Sequence, residues 1–141
     1  MANAIYPLWK QALMSEIPTN KSLDQGEVLA ANGVYASLVD TDTYSYSESH
    51  QFYSSITGIQ AAGQRITAVT ITGRVFDGET VTYMNVTGTK IGAVVITRQN
   101  TGANTTWRLV VYEDTGILGV PMIPSGGNII VTWNEQGIFG I

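Results

Sequence analysis

The residues with most chemistry to offer lie in one stretch, "LVDTDTYSYSESHQFYSSI" at 38–56, which holds the chain's only histidine, His50. Around it stand Asp40, Asp42 and Glu48, with Ser47 and Ser49 one to three residues before it. A histidine acting as general base needs an orienting partner and a nucleophile within hydrogen-bond reach. No Gly-x-Ser-x-Gly elbow occurs anywhere in the chain, so the two serines are neighbours by proximity only. Asp40 and Asp42 have the spacing that opens a calcium loop. That loop then requires a third oxygen ligand and a glycine at the turn, where this chain has Tyr44 and Ser45. The simpler expectation is that these Asp and Thr side chains bond to their own backbone where a strand turns. His50 is expected at a surface or an interface.

The remaining candidates are weaker. Eleven acids could supply a glycosidase pair, but only separation in space defines one. Glu113 and Asp114 are adjacent and would point to opposite faces of a strand, Asp77, Glu79 and Asp114 sit beside Gly or Thr in turn-like contexts, and solvated turn acids are the simpler reading. Three Asn-x-Ser/Thr triplets, at Asn20, Asn85 and Asn104, are the matches a threonine-rich chain produces by chance. Tyr44, Tyr46, Phe52 and Tyr53 could stack on sugar rings, against the alternative that they close one end of a core. Tyr44 and Tyr46 share a face in extended backbone and are the candidates for an exposed pair. No enzymatic activity, metal or cofactor is expected from these patterns.

Composition narrows the class further. Charged residues make up 13% of the 141, about half the usual ~25%. Ser, Thr, Asn and Gln supply 41 residues, 17 of them Thr, whose branched Cβ suits a pleated surface. A net charge of −4 with seven scattered basic residues argues against nucleic acid as a partner. No window holds the ~18 apolar residues of a membrane-spanning helix, so no membrane role is expected. The opening "MANAIYPLWKQALMSEIP" lacks the basic leader and unbroken apolar run of a secretory signal. Cysteine is absent, which excludes disulfides and thiol nucleophiles.

One domain spanning 1–141 must position all of this. Ile5, Leu8, Trp9, Ala12, Leu13 and Ile17 recur at helical spacing, with Pro7 tolerated in the first turn and Pro18 as a stop. The spacing predicts a helix over residues 4–17, packed on the domain's own sheet or on a neighbouring subunit. From Val28 onward the period becomes two. "GVYASLVDT", "QRITAVTIT", "VFD", "TVTYM", "KIGAVVITR", "WRLVVYED" and "NIIVTW" read as strands, with Asp77-Gly78 as a tight turn between the third and fourth. "KIGAVVITR" and "WRLVVYED" are expected to pair, and "ESHQFYSSI" to add a short helical turn. About seven short strands predict a mainly β fold, an antiparallel β-sandwich or jelly-roll-like domain with one N-terminal helix.

Taken in order, "IYPLWKQALMSEI", "VYASLVDTDTYSYSESHQFYSSI", "GRVFDGETVTY", "RLVVYEDTG" and "IPSGGNIIVTWNEQGIFGI" resemble a family of small tailed-bacteriophage virion proteins, across about 130 residues. The resemblance implies a non-enzymatic structural protein, first of all a capsid decoration (cement) protein on the outside of the head. Its implied partner is the major capsid protein of the shell, and its location the virion after synthesis in the host cytoplasm. A homo-oligomer, trimer or dimer, would match positions near capsid symmetry axes. The interface candidates are Ile5, Leu8, Trp9, Leu13, Tyr44, Tyr46, His50 and Phe52. A tail or baseplate component, or a carbohydrate-binding adhesion module, is the alternative.

Overall fold

The computed structural model describes residues 3–15, 23 and 33–141. Glu16, Ile17, Pro18, Asn20 and Val28, which figured in the sequence reading, lie outside the described residues. The described fold is mainly β, with antiparallel sheets and a single α-helix.

The first residues correct one expectation. Ala4–Ile5 form a short strand, β1, and the helix α1 runs over Pro7–Ser15. Tyr6 is the joint between them. Its N–H donates to the Val110 carbonyl at 3.0 Å, continuing a sheet ladder, while its own carbonyl accepts from Trp9 and Lys10. Pro7, having no N–H to satisfy, sits at the first helical position. The Ser15 hydroxyl bonds back to the Gln11 carbonyl at 2.8 Å. Trp9 and Ala12 are buried, Leu8 is half-buried, and Leu13 is 40% exposed. The helix therefore packs on its own domain through Trp9. That residue, expected as a free anchor for a neighbouring subunit, is only 1% exposed within one chain.

The main sheet contains β1, β2 (Gly33–Val39), β3 (Ile59–Arg65), β7 (Ala93–Gln99) and β8 (Arg108–Glu113), in the order β1-β8-β7-β2-β3. All neighbours are antiparallel, and β7–β8 is the pair expected from sequence. Side chains at paired positions share a face. One row across the sheet is Ser37, Val95 and Tyr112, and the adjacent row on the opposite face is Leu38, Val94 and Glu113. Both rows are buried, so the central strands are covered on both sides.

Between β3 and β4 (Thr70–Thr72) the alternation breaks. Ala68 takes a left-handed φ of 50°, and Ile66 turns into the core with 0% exposure. β4 pairs with β5 (Val75–Asp77) through a turn at Gly73, φ +63°, and β10 (Phe139–Gly140) adds to the other edge of β5. The tight turn thus falls before Val75 and not at Asp77-Gly78. Gly78 is required for space: a Cβ there would lie 2.4 Å from Ile66 Cγ2. β6 (Val81–Tyr83) leaves β5 and pairs with β9 (Ile129–Val131). The inward residues of this ribbon, Val81, Tyr83, Ile129 and Val131, join the same core, and the Tyr83 hydroxyl donates to the Ala36 carbonyl of β2. Tyr53–Ser55 form one 3-10 turn, in the segment where a short helical turn was expected.

Candidate functional site

Where β2 ends, Asp40 organises the turn that presents the aromatic stretch. Its Oδ1 accepts from the Asp42 N–H at 2.8 Å and its Oδ2 from the Thr89 hydroxyl at 2.9 Å. The Asp40 carbonyl accepts from Thr43 and Tyr44 N–H groups. The Asp42 amide, then the Thr89 hydroxyl, stabilise the ionised carboxylate and hold its pKa below the usual value. Asp42 points outward to Lys90 Nζ at 3.2 Å, an exposed pair of small energetic weight. Asp40 thus makes the backbone bond expected of it, whereas the Asp42 side chain meets Lys90 instead.

That turn delivers Tyr44 inward. Tyr44 is 2% exposed, so the expected exposed Tyr44–Tyr46 pair does not form. Its hydroxyl lies 2.7 Å from the Tyr6 hydroxyl and 2.8 Å from His50 Nδ1. Tyr6 donating to Tyr44, and Tyr44 to the imidazole nitrogen, gives each of the two phenols an acceptor. Tyr46 is half-buried, 5.0 Å from the Tyr6 ring and 5.7 Å from that of Tyr112. Burial pushes the Tyr44 phenol up to about 12 and that of Tyr112 up to about 12, the latter helped by Asp114. Burial raises Tyr6 further still. These phenols therefore stay protonated near neutrality and serve as hydrogen-bonding core groups.

The structure thus gathers three expected site residues, Tyr44, Tyr46 and His50, and adds Tyr6 and Tyr112 to them. His50 has the bonded partner that sequence reasoning did not supply. Its ring meets Tyr44, whereas the Ser47 and Ser49 hydroxyls bond to one another at 2.9 Å, and Ser47 reaches His50 through its carbonyl, which accepts from the His50 N–H at 3.1 Å. Phe52 stands apart, half-buried, with the Arg108 guanidinium 5.4 Å from its ring centre. Ile5 and Leu8 are half-buried at the N-terminal joint. Asp77 ends β5 rather than sitting in a turn and accepts from the Gly78 N–H, while Glu79 lies between β5 and β6 and accepts from the Thr67 hydroxyl.

Glu113 departs from expectation. It is 2% exposed and shares a row with Leu38 and Val94, both fully buried. Loss of hydration there pushes its carboxyl from the ordinary 4.5 up to about 8. The alternation of "RLVVYED" was legible in sequence, but a covering layer over that face was not.

A separate surface is apolar. Thr82 pairs with Ile130, and Leu118 bridges to Thr132, so Ile130, Thr132 and Leu118 lie on the outer face of the β6–β9 ribbon. Met84, two residues beyond Thr82, extends it. Met84, Leu118 and Ile130 are 67%, 71% and 56% exposed.

No helix among the described residues is long and apolar enough to cross a membrane. Comparison of the chain with protein-family models and with curated proteins finds no match.

Proposed function

We propose that the protein is a non-enzymatic structural component of a tailed-phage virion, a decoration protein that binds the major capsid protein on the outside of the head. The observation that carries this reading is the exposed row Met84, Ile130 and Leu118 on a strand-paired base. Interfaces place apolar and Met side chains at their centre and deplete charge there. A rigid backbone under such a row reduces the ordering cost of docking. Many copies each making a modest contact hold strongly when a shell presents the sites in array. Three antiparallel sheets around one core support reading the fold as a jelly-roll-like sandwich. The low-charge, Thr-rich surface and the family resemblance point the same way, and a trimer or dimer near a symmetry axis completes the proposal.

The carbohydrate-binding alternative loses its best feature, because Tyr44 is enclosed and Tyr46 packs within the same cluster. The test is cosedimentation with purified phage shells, comparing the parent with an Ile130→Ser/Leu118→Ser double variant. The variant should remain folded and lose about 2 kcal/mol or more of shell affinity. Copies in the hundreds per particle fit the head. A handful to a few dozen would place the protein in the tail and overturn the decoration reading.

A further inference from the structure

Glu113 opens a second question, independent of where the protein works. Two adjoining clefts, about 280 and 350 Å³, share Asn3, Glu113, Ile138, Phe139 and Gly140 in their walls. They lie between the N-terminal strand, the end of β8 and the C-terminal strand β10. Glu113 is 98% enclosed, yet among the described residues no hydrogen bond or ion pair reaches its carboxylate. A buried carboxylate is normally matched by several donors.

The neighbouring groups are already committed. Asn3 Oδ1 accepts from the Asp114 and Thr115 N–H groups and from the Thr115 hydroxyl, and its Nδ2 donates to the Thr115 carbonyl at 2.9 Å. Asn134 Oδ1 accepts from the Gln136 N–H. Lys10 lines the second cleft but is exposed and makes no ion pair with Glu113. The walls are mixed: Ile5, Val111, Ile138 and Phe139 supply apolar surface, and Asn3, Thr115, Asn134 and Gln136 supply polar surface.

We infer that the Glu113 clefts are a binding site for an alkylammonium group, whose charge would sit on the Glu113 carboxylate and whose aliphatic stem would lie along Ile138 and Phe139. A divalent cation fits less well, because it requires several oxygen ligands, usually more than one carboxylate. Among the described residues no three His, Cys, Asp or Glu side chains converge. An alkylammonium needs one buried anion with apolar side chains beside it for its stem, and Ile138 and Phe139 share both clefts with Glu113. The same group could arrive as a free amine or as a lysine side chain of another protein.

The test is a titration of the whole chain with 1-butylammonium and, separately, with Nα-acetyl-lysine methylamide, at constant ionic strength set by sodium chloride. Amide chemical shifts of Asn3, Thr115 and Gly140 serve as the readout. Saturable shifts with at least one probe are expected. Affinity should tighten about tenfold between pH 7 and pH 9, because the ligand recognises the ionised carboxylate, which forms near pH 8. Glu113→Gln should abolish the saturable shifts while leaving the rest of the amide spectrum in place. Saturation by butylammonium alone identifies free amines as the source, and saturation by the acetyl-lysine probe identifies a lysine side chain. Absence of saturation with both probes overturns the site. So does equal binding by Glu113→Gln, or a parent affinity that is flat from pH 7 to pH 9.

Discussion

His50 Nδ1 lies 2.8 Å from the Tyr44 hydroxyl, and this contact ties the only histidine to the buried phenols rather than to a nucleophile. Tyr44 in turn contacts Tyr6, which joins β1 to α1. Removing the imidazole deprives the buried Tyr44 hydroxyl of one of its two hydrogen-bond partners. His50→Ala is therefore expected to cost about 1 kcal/mol, more than an exposed substitution. Tyr44→Phe should cost a similar amount and abolish most of the further loss from His50→Ala. A double-mutant cycle in urea measures this coupling, and additive effects would refute it.

Trp9 is the largest fully buried side chain near the N terminus. Trp9→Ala should destabilise the isolated chain by about 3–5 kcal/mol, the range for truncating a core aromatic. Chemical denaturation at several protein concentrations checks this. A loss that appears only at concentrations where the protein self-associates would return Trp9 to an interface role.

Gly78 faces Ile66 so closely that a methyl group must displace it. Gly78→Ala should cost about 1–3 kcal/mol through overpacking, while Gly78→Ala combined with Ile66→Ala, which removes the Cγ2 methyl, should cost less than the sum of the two single changes. Thermal unfolding of the single and double variants makes the comparison. A Gly78→Ala variant as stable as the parent would show that the Gly78 corner moves freely.

Glu113 sets a pH dependence of definite sign. Below about 4.5 the carboxyl is protonated in both folded and unfolded chains, and the stability it permits is fully present. Between about 4.5 and 8 only the unfolded chain ionises, so stability falls as pH rises, by up to about 1.4 kcal/mol per pH unit. Asp40 acts in the opposite sense at the acid end. Its lowered carboxylate stabilises the fold above the ordinary aspartate range, and that stability is lost as pH falls through it. Glu113→Gln should flatten the slope between pH 5 and pH 8 and make the protein more stable than its parent at pH 8. Denaturant midpoints across that range decide the matter, and an unchanged slope in the variant would count against it.

Much of the fold was legible because it depends on neighbours along the chain. Alternating residues in Gly33–Val39, Ala93–Gln99 and Arg108–Glu113 dictate strands, the spacing of Leu8, Trp9 and Ala12 gives a helix, though not its start, and Asp40 caps its own turn. What pairs with what was decided elsewhere. Asp77-Gly78 has the local signature of a hairpin, yet β5 pairs with β4 and β10 while β6 pairs with β9. Local turn preference is worth about a kilocalorie per mole, and burial of Ile66, Tyr83 and Val131 outweighs it. The sites follow the same division. Adjacent strand residues point to opposite faces, but only the covering layers bury both Tyr112 and Glu113. Solvation is a property of the assembled layers, so a carboxylate that reads as a surface acid in sequence becomes a buried carboxyl whose ionisation the fold disfavours.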